Sequence, residues 1–151
     1  MTTLRQTRNW LLAAFVALWG GMAWAAGGAE EELSPERQTL DAVQRVIESQ
    51  LIAFQKGDGE GAFFHAAPSI RGMFGSSTSF MDMVERGYNV IYTNARWEFE
   101  DSRINGGNAA QIVLVEDGQG RQMRAVYFLG LSNGMWKITG VQRMEGPGTD
   151  A

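Results

Sequence analysis

The stretch Gln111-Ile112-Val113-Leu114-Val115-Glu116-Asp117-Gly118-Gln119-Gly120-Arg121-Gln122-Met123-Arg124-Ala125-Val126-Tyr127-Phe128-Leu129 decides the fold class. Two runs rich in β-branched and aromatic residues flank Asp117-Gly118-Gln119-Gly120, which supplies the glycine and aspartate that a tight reversal needs. That pattern is a β-hairpin. Upstream, Trp97 and Phe99 alternate with polar neighbours before Asn105-Gly106-Gly107-Asn108; downstream, Trp136 and Ile138 follow Ser132-Asn133-Gly134. Four strands joined by three turn signals predict an antiparallel meander. The apolar set Trp97, Phe99, Ile112, Leu114, Ala125, Tyr127, Leu129, Trp136 and Ile138 is expected on the buried face. Val113, Val115, Val126, Phe128 and Val141 are then expected on the opposite face.

Before Ala95 the apolar period is three to four residues instead of two. Ser34-Pro35-Glu36 marks a helix start: a serine side chain accepts orphan amide protons, proline tolerates the first helical position, and an early acid suits the positive dipole end. Leu40, Val43, Ile47, Leu51 and Phe54 continue it as one amphipathic helix that Gly57 ends. Asp58 caps a second, shorter helix through Ala62 and Ala66 that must stop near Pro68. Ser69 to Gly75 reads as a turn-rich segment, and Ser76 or Ser77 caps a third helix carrying Phe80, Met83 and Val84 up to Gly87. Helices first and strands afterwards predict an α+β domain, three N-terminal helices on a curved four-stranded antiparallel sheet, over residues 34–145. Four strands cannot cover an apolar outer face themselves, so a homodimer through that face is expected.

Residues 1–25 read as a secretory signal peptide. Arg5 and Arg8 precede an uncharged run from Trp10 to Trp24, and Ala23-Trp24-Ala25 is a small-residue cleavage site. Gly20 and Gly21 interrupt the run short of the roughly 20 apolar residues that a membrane span requires, so no stable anchor is expected after cleavage. Residues 26–33 read as a flexible leader and 146–151 as a disordered tail. The chain has no cysteine, which excludes disulfides, thiolate metal sites and a lipid-modified cysteine. Removing Arg5 and Arg8 takes the formal charge from −4 to −6. With single basic residues scattered among acids, that charge argues against nucleic acid and anionic membranes as partners. The expected product is periplasmic or secreted.

Residues 50–54 (Gln50-Leu51-Ile52-Ala53-Phe54), Ala67 to Gly75, Phe80 to Tyr88, Val90-Ile91-Tyr92 and Gly134 to Gly140 together resemble a family of exported bacterial proteins known only as a domain of unknown function. The element order resembles the nuclear-transport-factor-2-like, or cystatin-like, α+β cone. The likeness covers roughly Leu40 to Met144 and implies a pocket between helices and concave sheet. The wider superfamily ranges from isomerases and dehydratases to non-catalytic binding domains, so the resemblance carries the fold further than the function.

Candidate pocket residues are Phe63, His65, Arg71, Phe74, Tyr88, Tyr92, Trp97 and Tyr127. His65 is the only histidine, and burial beside Phe63 and Phe64 could lower its pKa. Arg71, among Ile70, Met73 and Phe74, offers a forked donor for a carboxylate. Asp82 is a conceivable base, although its spacing from Arg86 fits a solvent-side ion pair. The tyrosines and Trp97 join apolar bodies to polar tips. Gly57-Asp58-Gly59-Glu60-Gly61-Ala62 follows a helix where a dinucleotide site requires a strand, and Asp58 and Glu60 lack the remaining ligands of a calcium loop. Neither a cofactor nor a metal is implied. The leading expectation is a non-catalytic module that binds a small apolar or amphiphilic ligand, or an envelope protein. The alternative is a cofactor-free acid–base enzyme of isomerase or dehydratase type using His65 or a pocket carboxylate.

Overall fold

In the computed structural model, residues 33–145 are described; the segments expected as signal peptide and tail, and all but the last residue of the expected leader, fall outside them. Helix α1 (Pro35–Gln55) begins where Ser34 Oγ accepts the Arg37 N–H, with Pro35 in the first turn. Its apolar stripe buries Val43, Ile47, Leu51 and Phe54. Leu51 is fully covered, a burial worth about 1.5–3 kcal/mol. The helix stops at Gly57, whose φ of +65° permits the Asp58 N–H to reach back to Ala53 O.

Helices α2 (Gly59–Phe64), α3 (Pro68–Phe74), α4 (Ser77–Gly87) and α5 (Asn89–Tyr92) follow. Asp58 Oδ1 caps α2 through the Gly61 N–H at 2.9 Å, and Ser76 caps α4 through the Ser79 N–H. The segment read as turn-rich is helix α3. Pro68 opens it, and Gly75 closes it with a φ of +72°. Its seven residues, Gly72 among them, are too few to establish a helical period, and none of them is buried.

Strands β1 (Asn94–Asn105), β2 (Asn108–Asp117), β3 (Gln122–Ser132) and β4 (Met135–Met144) form one curved, unclosed antiparallel sheet in chain order. The expected α+β class and the meander are therefore present. At the β4 edge, the Ile138 N–H donates to His65 O and the Ala67 N–H to Ile138 O, both at 2.8 Å. The α2–α3 connection thus pairs with the last strand and pins the main chain at His65.

The face assignment of β2 is reversed relative to the sequence reading. Val113 pairs with Ala125, and Val115 pairs with Met123; all four lie in the core beneath α1 and α5. Ile112 pairs with Val126 and Leu114 with Arg124 on the outer face, where Ile112 and Leu114 are half-buried. Val141 also turns inward, opposite Tyr127. Because Ile112-Val113-Leu114-Val115 is apolar at every position, period two cannot choose between its faces, and only the register with β3 does.

Candidate functional site

A cavity of about 120 Å³ lies between the helices and the concave face of the sheet. Phe74 from α3, Phe80, Met83 and Val84 from α4, and Tyr127, Ile138 and Val141 from the sheet line it, with Gln50 of α1 on the wall. Phe80 is the hub of its aromatic side, with ring centroids 5.4 Å from Phe63, 5.9 Å from Phe74 and 6.3 Å from Phe54. Such offset and edge contacts hold the α2, α3 and α4 sides of the cavity together.

Two tyrosines bring hydroxyls to this region. Tyr88 at the end of α4 donates from Oη to Val141 O at 2.9 Å. Tyr127 is fully buried, and its hydroxyl has no hydrogen-bond partner among the described residues. Burial first, and the neighbouring Tyr88 second, push the Tyr127 phenol well above its ordinary value, so it stays protonated as a donor. Gln50 donates Nε2 to Ala62 O at 3.1 Å, which leaves its amide oxygen as an acceptor on the same wall. The cavity is thus apolar with a very small polar complement.

The sequence candidates separate into distinct places. Phe74, Tyr88 and Tyr127 line this cavity. Phe63 is buried in the core against Phe80, and Tyr92 packs against Phe54 with centroids 6.3 Å apart. Trp97, half-buried on β1, borders a separate shallow pocket with Arg96 and Glu98. Arg71 is exposed and rests its guanidinium over the Phe63 ring, 5.3 Å from the centroid. It faces neither a buried acid nor the cavity. Asp82 is exposed, and the Asp82–Arg86 ion pair that its spacing allowed is not formed.

His65 ends α2 and lines a different, open depression with Phe64, Trp136 and Lys137. Partial burial first, and the Lys137 ammonium second, lower its pKa. Lys137 donates Nζ to Phe64 O at 2.6 Å and lies 3.5 Å from the Phe64 ring centroid. Burial, and then Arg71, lower the Lys137 pKa in turn. A general base must come within about 2.6–3.2 Å of the proton it removes, yet neither His65 nor any carboxylate lines the helix–sheet cavity among the described residues. The condition that the acid–base alternative sets is not met there. Also among the described residues, no three histidine or carboxylate groups gather as metal ligands, and no helix is long and apolar enough to cross a membrane.

Sequence reasoning missed Gln50, Met83, Val84 and Val141 as cavity walls. Met83 and Val84 carry the ordinary signal of a core stripe, and Val141 is assigned inward only by its pairing with Tyr127. It also missed a basic cleft. Arginines that stand apart in the chain converge there: Arg86 from α4, Arg121 before β3, Arg124 on β3 and Arg143 on β4 border a depression of about 650 Å³.

No curated protein matches the chain. Among solved structures it is similar to an NTF-2 like protein of unknown function from Silicibacter pomeroyi DSS-3, at 17% identity and a TM-score of 0.51, covering 71% of this chain and 97% of the other. That likeness establishes the nuclear-transport-factor-2-like fold expected from the order of elements. The model of one family, Domain of unknown function (DUF4864), matches residues 36–151, the whole helix–sheet unit, and the chain therefore belongs to that family.

Proposed function

We propose that the protein is an exported, non-catalytic module that holds a small apolar or amphiphilic molecule in the helix–sheet cavity. The Tyr127 hydroxyl carries this reading. A fully buried donor without a partner costs about 1–3 kcal/mol, and Tyr127 is one of the residues that line this apolar cavity. A ligand with one acceptor oxygen and an apolar body removes that cost and fills the space. The volume bounds the ligand: about 120 Å³ lies well below the roughly 300–1,000 Å³ of sites for drug-sized molecules and is close to engineered cavities that admit benzene. The bound part is therefore of monocyclic size, or the end of a longer chain. Export rests on the n-region arginines, the apolar run and the Ala23-Trp24-Ala25 site.

Amide chemical shifts followed during titration with benzyl alcohol and with toluene test the reading. The expected result is saturable shifts at Ile138 and Val141, with benzyl alcohol binding about tenfold tighter through one hydrogen bond. Val84→Phe, which fills the cavity, is expected to abolish both. Absence of saturation, or shifts that persist unchanged in Val84→Phe, overturns it.

Pairing of two copies through the outer sheet face is part of the same proposal. Ile112, Val126 and Phe128 form an apolar centre there, although all three are already half-buried within one copy. Light scattering at micromolar concentration is expected to give twice the monomer mass; the monomer mass refutes the pairing.

A further inference from the structure

We propose that the arginine cleft is a second ligand site, which takes a small organic anion, a phosphate or carboxylate on an apolar body. The cleft opens where β4 ends. Met144 is the last residue of β4 paired with β3, opposite Arg124, so Gln122 and Met123 of β3 continue beyond it. The C-terminal turn of α4 and the start of α5 form the other bank.

Four arginines border it on a chain whose formal charge is −4, Arg124 from the outer face of the sheet and Arg143 from the face that meets the end of α4. Arg121 is paired with Asp117 and Arg124 with Glu100. Among the described residues, Arg86 and Arg143 have no carboxylate partner; Arg143 donates Nη2 to the main-chain oxygen of Gly87, and Arg86 forms no hydrogen bond. The end of α4 offers both of them a weak negative dipole, which attracts cations without neutralising them. Among the described residues, Glu145 is the one carboxylate bordering the cleft. Each guanidinium keeps several planar donors, and the pair can grip the oxygens of one anionic group.

The apolar component comes from Val90, Leu114, Met123 and Met144, which border the cleft beside the arginines. Charged forks next to apolar side chains suit an anion with a hydrocarbon or ring body better than a bare ion. The volume of about 650 Å³ is within the range of small-molecule sites. Arg71, the arginine that the sequence offered for this chemistry, is stacked on Phe63 elsewhere.

The test titrates the full chain with phenyl phosphate and with inorganic phosphate by calorimetry at low salt. Phenyl phosphate is expected to bind saturably, more tightly than inorganic phosphate, and more weakly as salt rises. Arg86→Gln with Arg143→Gln is expected to weaken it at least about tenfold by removing two charge-assisted contacts. Arg86→Gln alone breaks no internal bond and is expected to produce part of that loss in a chain that unfolds as the parent does. Arg103→Gln, an exposed arginine near the far end of β1 that does not border the cleft, is expected to leave affinity within twofold. Val84→Phe, which fills the other cavity, is expected to leave it unchanged, so the two sites fail or stand separately. No saturable binding, equal binding by the arginine variants, or loss in Val84→Phe overturns the proposal.

Discussion

Glu100 of β1 and Arg124 of β3 join in a two-pronged ion pair, Nε to Oε2 at 2.7 Å and Nη2 to Oε1 at 2.8 Å. Because β2 lies between their strands, the pair crosses the outer surface of β2 and helps to cover Ile112 and Leu114. Hydrogen bonding from Arg124 first, opposed by desolvation and supported by charge attraction, lowers the Glu100 pKa. The sheet thus shields part of its outer apolar face without a second layer.

Glu100→Gln is expected to lower the melting temperature by a few degrees at low salt and by less at high salt, since a partly exposed pair is screened. A depressed carboxyl pKa stabilises the fold above its unfolded value of about 4.3 and loses that effect as pH falls. The difference between parent and variant is therefore expected to shrink below pH 4.3. Thermal melts across pH and salt check both trends.

Gln111 makes the reach of Glu100 possible. Between the pairs Phe99–Val113 and Ser102–Gln111 the register shifts, and Gln111 Nε2 donates to the freed carbonyls of Glu100 at 2.9 Å and Asp101 at 3.3 Å. Gln44 Nε2 from α1 donates to Gln111 Oε1 at 3.0 Å and ties the bulge to the helix. Gln111→Leu keeps the volume and strands those groups. A loss of about 1–3 kcal/mol in urea unfolding is expected; an unchanged midpoint refutes the role.

Tyr127→Phe separates stability from binding. Removing an unpartnered buried hydroxyl is expected to raise the stability of the empty protein by about 1 kcal/mol. The same change is expected to erase the preference for benzyl alcohol over toluene. Chemical unfolding and the ligand titration read the two effects independently, and a destabilised variant counts against the unpaired state of the hydroxyl.

His65 has its own pH window. Its folded pKa lies below its unfolded value, so the unfolded chain binds the proton more readily. Its contribution is fully present above about pH 6.5 and is lost as pH falls from there toward the folded value. The depressed carboxyls Glu100, Glu116 and Asp117 act lower, below roughly pH 4. His65→Gln is expected to flatten stability between pH 7 and 5 while leaving the acid limb intact. An unaltered slope in that interval rules out His65 as its source.

The short helices α3 and α5 aside, the sequence by itself determined the longer helices α1 and α4, the helix α2, the meander and the helix caps. Those are local properties, set by apolar period, by Ser34, Asp58 and Ser76 at helix starts, and by glycine turns between strands. Only the tertiary structure decided which face of β2 is buried, since a strand apolar at every position acquires its sides from its partner's register. It also decided that Tyr127 lines the cavity and keeps an unpaired buried hydroxyl, that Arg71 and His65 lie away from that cavity, and that four separated arginines border one cleft. Local signals specify how each segment hydrogen-bonds with itself and its neighbours in sequence; cavities and charge clusters depend on distances between segments far apart in the chain, which packing alone fixes.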